Sequence, residues 1–96
     1  MAINNLSFKL PVLITKQGKR FVAYTPALDI STSGKSEKEV RSRFTEMAQL
    51  FFEEIVDAGT INEVLLELGW KKAQKKWNPP GVVSAQSIGL KIPALA

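Results

Sequence analysis

Four carboxylates, Glu39, Glu46, Glu53 and Asp57, are spaced seven, seven and four residues apart. On a helix, at ~100° per residue, they fall within a sector of roughly 40°. Clustered carboxylates can hold a divalent metal or do acid/base work. However, Glu39 and Glu53 would lie about 21 Å apart along the axis, too far to share one ion. The stripe therefore reads first as a solvated helix face, with Glu39 and Arg43 placed as an i,i+4 ion pair. Its second reading is a docking face for a basic partner. Glu53, Glu54 and Asp57 crowd the expected helix C-terminus, where the dipole disfavours negative charge. A cation would relieve that cost, either Lys71 and Lys72 of the same chain or a residue of another protein.

Lys71, Lys72, Lys75 and Lys76 lie between Trp70 and Trp77. Such a patch can follow phosphates while an aromatic ring stacks on a base. Its plainer reading has the lysines in solvent and the tryptophans packed on the domain. Beyond these two clusters the chemistry is sparse. The chain has no cysteine and no histidine. That leaves no thiolate site, no disulfide framework and no usual general base. A serine would have no imidazole to activate it, and the glycines are scattered singly rather than grouped into a phosphate loop. The first two expected strands carry no acid, so the converging carboxylates of an RNase H-type nuclease are missing. No catalytic residue, metal site or cofactor is expected.

The elements that position these residues follow from periodicity. Ninety-six residues make one domain. Leu6, Phe8, Leu10, Val12 and Ile14 alternate with polar neighbours, predicting a strand over 6–16 that Pro11 places at an edge or bulge. A turn at Lys16-Gln17-Gly18-Lys19 leads to a second strand at 20–26 that ends at Pro26, and a short third strand follows at 29–33. Ser36 and Glu39 form a capping-box signature for a helix over 37–58. Its inward stripe is Val40, Phe44, Met47, Ala48, Phe51, Ile55 and Ala58. Phe52 and Val56 widen that stripe, either as a second wall of core or as a subunit contact. Thr60 and Glu63 suggest another capping box, opening a helix at 61–68. Residues 70–77 read either as helix or as a lysine-rich hairpin.

Asn78-Pro79-Pro80-Gly81 is a break. Ile88, Leu90 and Ile92 then alternate with Gly89 and Lys91, predicting a strand within 82–93 that completes the sheet or pairs with a neighbouring subunit. The expected division is a domain at 1–77 and an extended tail at 78–96. Charge follows the same line. Residues 1–67 hold eight cations and nine anions, whereas 68–96 hold five lysines and no acid. No apolar run approaches the ~18 residues of a membrane span, and the first ten residues do not read as a signal peptide, so a cytoplasmic protein is expected.

Gly18, the segment Phe21-Val22-Ala23-Tyr24-Thr25-Pro26, then Leu28 and Asp29, and finally Gly34-Lys35-Ser36-Glu37-Lys38-Glu39-Val40 occur in an order that resembles the HicB antitoxin family. The similarity covers about half of the chain. In the loop where family members often carry Pro-Gly-Cys, this chain has Ala27-Leu28-Asp29-Ile30, about one residue shorter. The resemblance implies an α+β domain of β-β-β-α-(α)-β order, partly RNase H-like or double-stranded-RNA-binding-like and without catalytic residues. It also implies a role: inhibiting a small basic mRNA-cleaving HicA-type toxin by covering its active site. The absence of a ribbon-helix-helix or helix-turn-helix pattern in 78–96 points to a stand-alone form. The expected partner contacts are Glu46, Glu53 and Asp57 on the helix and Ile88, Leu90 and Ile92 on the tail, in a homo-oligomer. The alternatives are a nucleic-acid-binding regulatory domain using Lys71, Lys72, Lys75 and Lys76, or an orphan HicB-like oligomeric domain without a toxin.

Overall fold

A computed structural model describes residues 9–94. Strands β1 (Leu13–Gln17), β2 (Arg20–Thr25) and β3 (Ile30–Gly34) form an antiparallel sheet in the order β1-β2-β3. Helix α1 (Glu37–Asp57) lies over β2 and β3, and helix α2 (Ile61–Glu67) returns against it. A two-stranded hairpin, β4 (Lys71–Ala73) and β5 (Lys76–Asn78), follows. The fold is therefore α+β, with one sheet face covered by a long helix.

The sheet register sorts its side chains. Ile14 pairs with Ala23 and Ala23 with Thr32, while Lys16 pairs with Phe21 and Phe21 with Gly34. Because neighbours in register share a face, these residues look towards α1. Ala23 and Thr25 are fully buried there. Gly34 is required by close approach: a Cβ on it would meet the Val40 backbone nitrogen at 2.9 Å. The first turn of α1 thus sits directly on the end of β3.

The first strand is shorter than its alternation predicts. Positions 6–8 lie outside the described residues, and the strand begins at Leu13, two residues past Pro11. Proline has no N–H for a ladder, so pairing starts beyond it. The third strand begins at Ile30 rather than Asp29. Asp29 adopts φ +53 and its N–H bonds back to the Thr25 carbonyl at 2.9 Å, closing a tight loop that no extended residue could close.

The helix ends are set by glycine. At α1, Gly59 (φ +71) donates to the Val56 carbonyl and Thr60 to the Ile55 carbonyl; at α2, Gly69 (φ +90) donates to Leu66 and Trp70 to Leu65. Both are Schellman closures, in which a left-handed residue turns the chain while satisfying the last carbonyls. The same closure corrects two expectations. Ala58 caps α1 and is exposed rather than buried in its stripe. Thr60 makes no side-chain cap bond, because its backbone is already committed to closing α1. At the other end Ser36 Oγ does accept from the Glu39 N–H at 3.0 Å, but the Glu39 carboxylate turns to Arg43 at 3.1 Å instead of returning to the cap.

Trp70 locks the rest. It follows the α2 closure and is only 2 % exposed, beside buried Leu65. Its indole Nε1 donates to the Ala27 carbonyl at 2.7 Å, and Phe52 meets its ring edge-on with centroids 5.9 Å apart. Phe52 is therefore a second wall of core, while Val56 stays exposed. Residues 70–77 form a hairpin and not a helix, since Gly69 has already ended α2 and Gln74 and Lys75 take positive φ at the tip.

Beyond β5, residues 79–94 form neither helix nor strand. The expected strand within 82–93 is not present in the single chain, and the sheet holds β1, β2 and β3 without it. Ile88, Leu90 and Ile92 are 77, 82 and 81 % exposed. The last strand among the described residues ends at Asn78, Pro79 and Pro80 are half-buried, and residues 81–94 are exposed.

Candidate functional site

The outer face of α1 is built by exclusion. Val40, Phe44, Ala48 and Ile55 are buried on one side of the helix. At ~100° per residue, Glu46, Glu53 and Asp57 project from the opposite side, within roughly 40° of one another. All three are exposed. Leu50, four residues after Glu46 and three before Glu53, lies about 20° beyond that sector and is 64 % exposed. The face is thus a leucine set among three carboxylates. Sequence reasoning missed Leu50, although its spacing from Glu46 and Glu53 was the available signal.

Charge is divided along the helix. In its first half Arg41 pairs with Glu37 at 3.9 Å and Arg43 with Glu39 at 3.1 Å. From Phe44 to Asp57 the helix carries no cation, and its last turn contains no basic residue. Among the described residues, Glu46, Glu53, Glu54 and Asp57 form no ion pair. Lys71 and Lys72, which could have relieved them from within the chain, do not reach them as ion pairs. Among the described residues, no ion pair compensates the unfavourable placement of negative charge at the helix C-terminus. No group of three acids among the described residues comes close enough together to hold a metal ion.

The lysine patch is split by the hairpin. Lys71 pairs with Asn78, Lys72 with Trp77 and Ala73 with Lys76. Strand alternation puts Lys71 and Lys76 on one face and Lys72 on the other, beside Trp77, while Lys75 sits at the tip. The Lys72 ammonium lies 5.6 Å from the Trp77 ring centroid, a cation–π contact. Trp70 is buried and cannot stack on a base.

One further polar cluster surrounds the loop after β2. The Tyr24 hydroxyl donates to Asp29 Oδ1 at 3.0 Å, and the Ala27 N–H donates to Thr25 Oγ1 at 3.3 Å. The bond to Asp29 first, then burial and the aspartate charge, hold the Tyr24 phenol above its ordinary 10.0. The loop has a structural duty, since it presents the Ala27 carbonyl to Trp70. No helix among the described residues is long and apolar enough to cross a membrane. No family model, curated protein or solved structure matches this chain.

Proposed function

We propose that this chain is a non-catalytic protein-binding module of the HicB antitoxin kind. It binds a small basic HicA-type RNase and occludes its active site. The single observation that supports this reading is the outer face of α1, where Glu46, Glu53 and Asp57 flank exposed Leu50 and form no ion pair among the described residues. An apolar anchor ringed by charge of one sign suits a partner of the opposite sign, with the leucine desolvated at the centre and the acids steering encounter. The motif order from Gly18 to Val40 supplies the family resemblance.

The test is co-expression with the cognate HicA-type toxin. Growth should be rescued and the two chains should co-elute. Glu46→Lys with Glu53→Lys should abolish both while leaving the circular dichroism spectrum unchanged. Persistent growth arrest with no co-elution of the unmodified chain refutes the reading. A nucleic-acid-binding role through Lys71, Lys72, Lys75 and Lys76 is the second reading. It requires RNA affinity that falls steeply with salt, since each phosphate contact releases counterions.

A further inference from the structure

We propose that residues 82–92 act as an exchanged arm, adding a strand to the β1 edge of a second copy of this chain. The arm comes first. Residues 81–94 are exposed throughout, and Ile88, Leu90 and Ile92 alternate so that they would share one face once the segment is paired as a strand. The arm leaves the domain rather than lying on it. The radius of gyration is 16.9 Å and the longest dimension 66 Å, where a compact fold of this length would have a radius near about 12.5 Å. Its root is held, because Pro79 and Pro80 are half-buried and proline stiffens the departure.

The acceptor is the other unpaired element. β1 and β3 are the two edges of the sheet. At β3 the Ser33 carbonyl is already taken by the Arg43 guanidinium at 3.2 Å, and α1 crosses that side of the sheet. β1 has no strand beyond it among the described residues, and α1 packs chiefly on β2 and β3. Its helix-side face carries Ile14, only half-buried, with Leu10 packed on the same core. A strand laid along β1 with Ile88, Leu90 and Ile92 towards the helix side would continue that apolar surface. Gly89 and Lys91 would then face solvent, beside Thr15 and Gln17. Main-chain bonds would supply affinity and alternate side chains the register.

A second copy is the occupant these features select. Donor and acceptor are both in one sequence, and neither has a partner strand on that side among the described residues. Reciprocal exchange gives each copy one arm and one edge, on the order of the 20 residues a side that a standard interface uses. It also covers the β1 edge of both copies at once and closes a symmetric dimer, with the arm as the new outer strand.

The tail residues are thereby assigned to self-association and the acids of α1 to the heterologous partner, so the two proposals fail separately. Light scattering on the eluting full chain should give a dimer. Leu90→Pro should give a monomer with an unchanged circular dichroism spectrum, because Leu90 is 82 % exposed and lies outside the core of its own domain. In hydrogen exchange, the amides of 88–92 and of β1 should be protected in the dimer and lose protection together in Leu90→Pro. A chain that stays monomeric at every concentration overturns the proposal. So does a dimer that survives Leu90→Pro, and so does a monomer whose arm amides are protected, which would place the arm on its own sheet. Glu46→Lys with Glu53→Lys should leave the dimer intact.

Discussion

The indole of Trp70 donates to a carbonyl 43 residues earlier in the chain, at 2.7 Å and in a buried setting. That bond joins the segment after α2 to the loop after β2. Trp70→Phe leaves the Ala27 carbonyl without its donor and should cost about 1–3 kcal/mol, with the smaller ring adding a cavity. Urea unfolding checks this, and an unchanged midpoint would show the bond to be idle. Gly34→Ala should destabilise by a similar amount, about 1–3 kcal/mol, because the clash is with the Val40 backbone rather than a movable side chain. Tyr24 offers a cleaner measurement, being the chain's one tyrosine. Folding tightens its hold on the phenolic proton, so the contribution is present in full below pH 10.0 and is lost as pH rises through the higher folded value. Phenolate absorbance should report ionisation above 10.0, and Asp29→Asn should bring it back towards the ordinary range.

At the scale of elements, the hairpin is the strained piece. Gln74 and Lys75 both occupy positive φ (52 and 64), as a two-residue loop of primed type demands. Neither residue tolerates that region as asparagine or glycine does. Gln74→Asn with Lys75→Gly should therefore stabilise β4–β5 by about 1 kcal/mol, read as slower amide exchange in the hairpin. Faster exchange would mean that the Lys75 side chain itself supports the turn. Helix α1 was legible from its period and its Ser36 cap, because both signals are local. The hairpin was legible only as one of two readings for residues 70–77. Trp70, Ala73 and Trp77 are spaced for one helical face, and the closure at Gly69 together with the burial of Trp70 against Ala27 and Leu65 sets the chain on the other course. The strand within 82–93 was read from alternation alone, which records a preference for pairing but supplies no neighbour.

For the whole molecule, the distribution of charge and apolar surface points outward at two places. One is the Glu46–Leu50–Glu53–Asp57 face, the other the arm. Leu50→Ala should leave thermal stability within about 0.5 kcal/mol of the parent, since exposed positions away from caps and cores are tolerant. It should still weaken capture of a basic partner by tenfold or more, the loss of about 1.4 kcal/mol expected of a central anchor. Isothermal titration against the toxin separates the two effects, and binding that is unmoved would remove Leu50 from the interface. Raising salt should slow association chiefly through the three acids.

The amino-acid sequence by itself determined the strand, strand, strand, helix order, the position of α1, the glycine stops and the division of charge between domain and tail. Each is encoded within a few residues, by side-chain period, a cap or a backbone preference. Tertiary structure decided the start of β1 beyond Pro11, the hairpin at 71–78, the burial of Trp70 and the company of Leu50 among the acids. Those outcomes depend on which surfaces meet. Trp70 is buried because a carbonyl 43 residues away is turned to receive it. Leu50 is exposed because the opposite side of α1 is used up by the sheet.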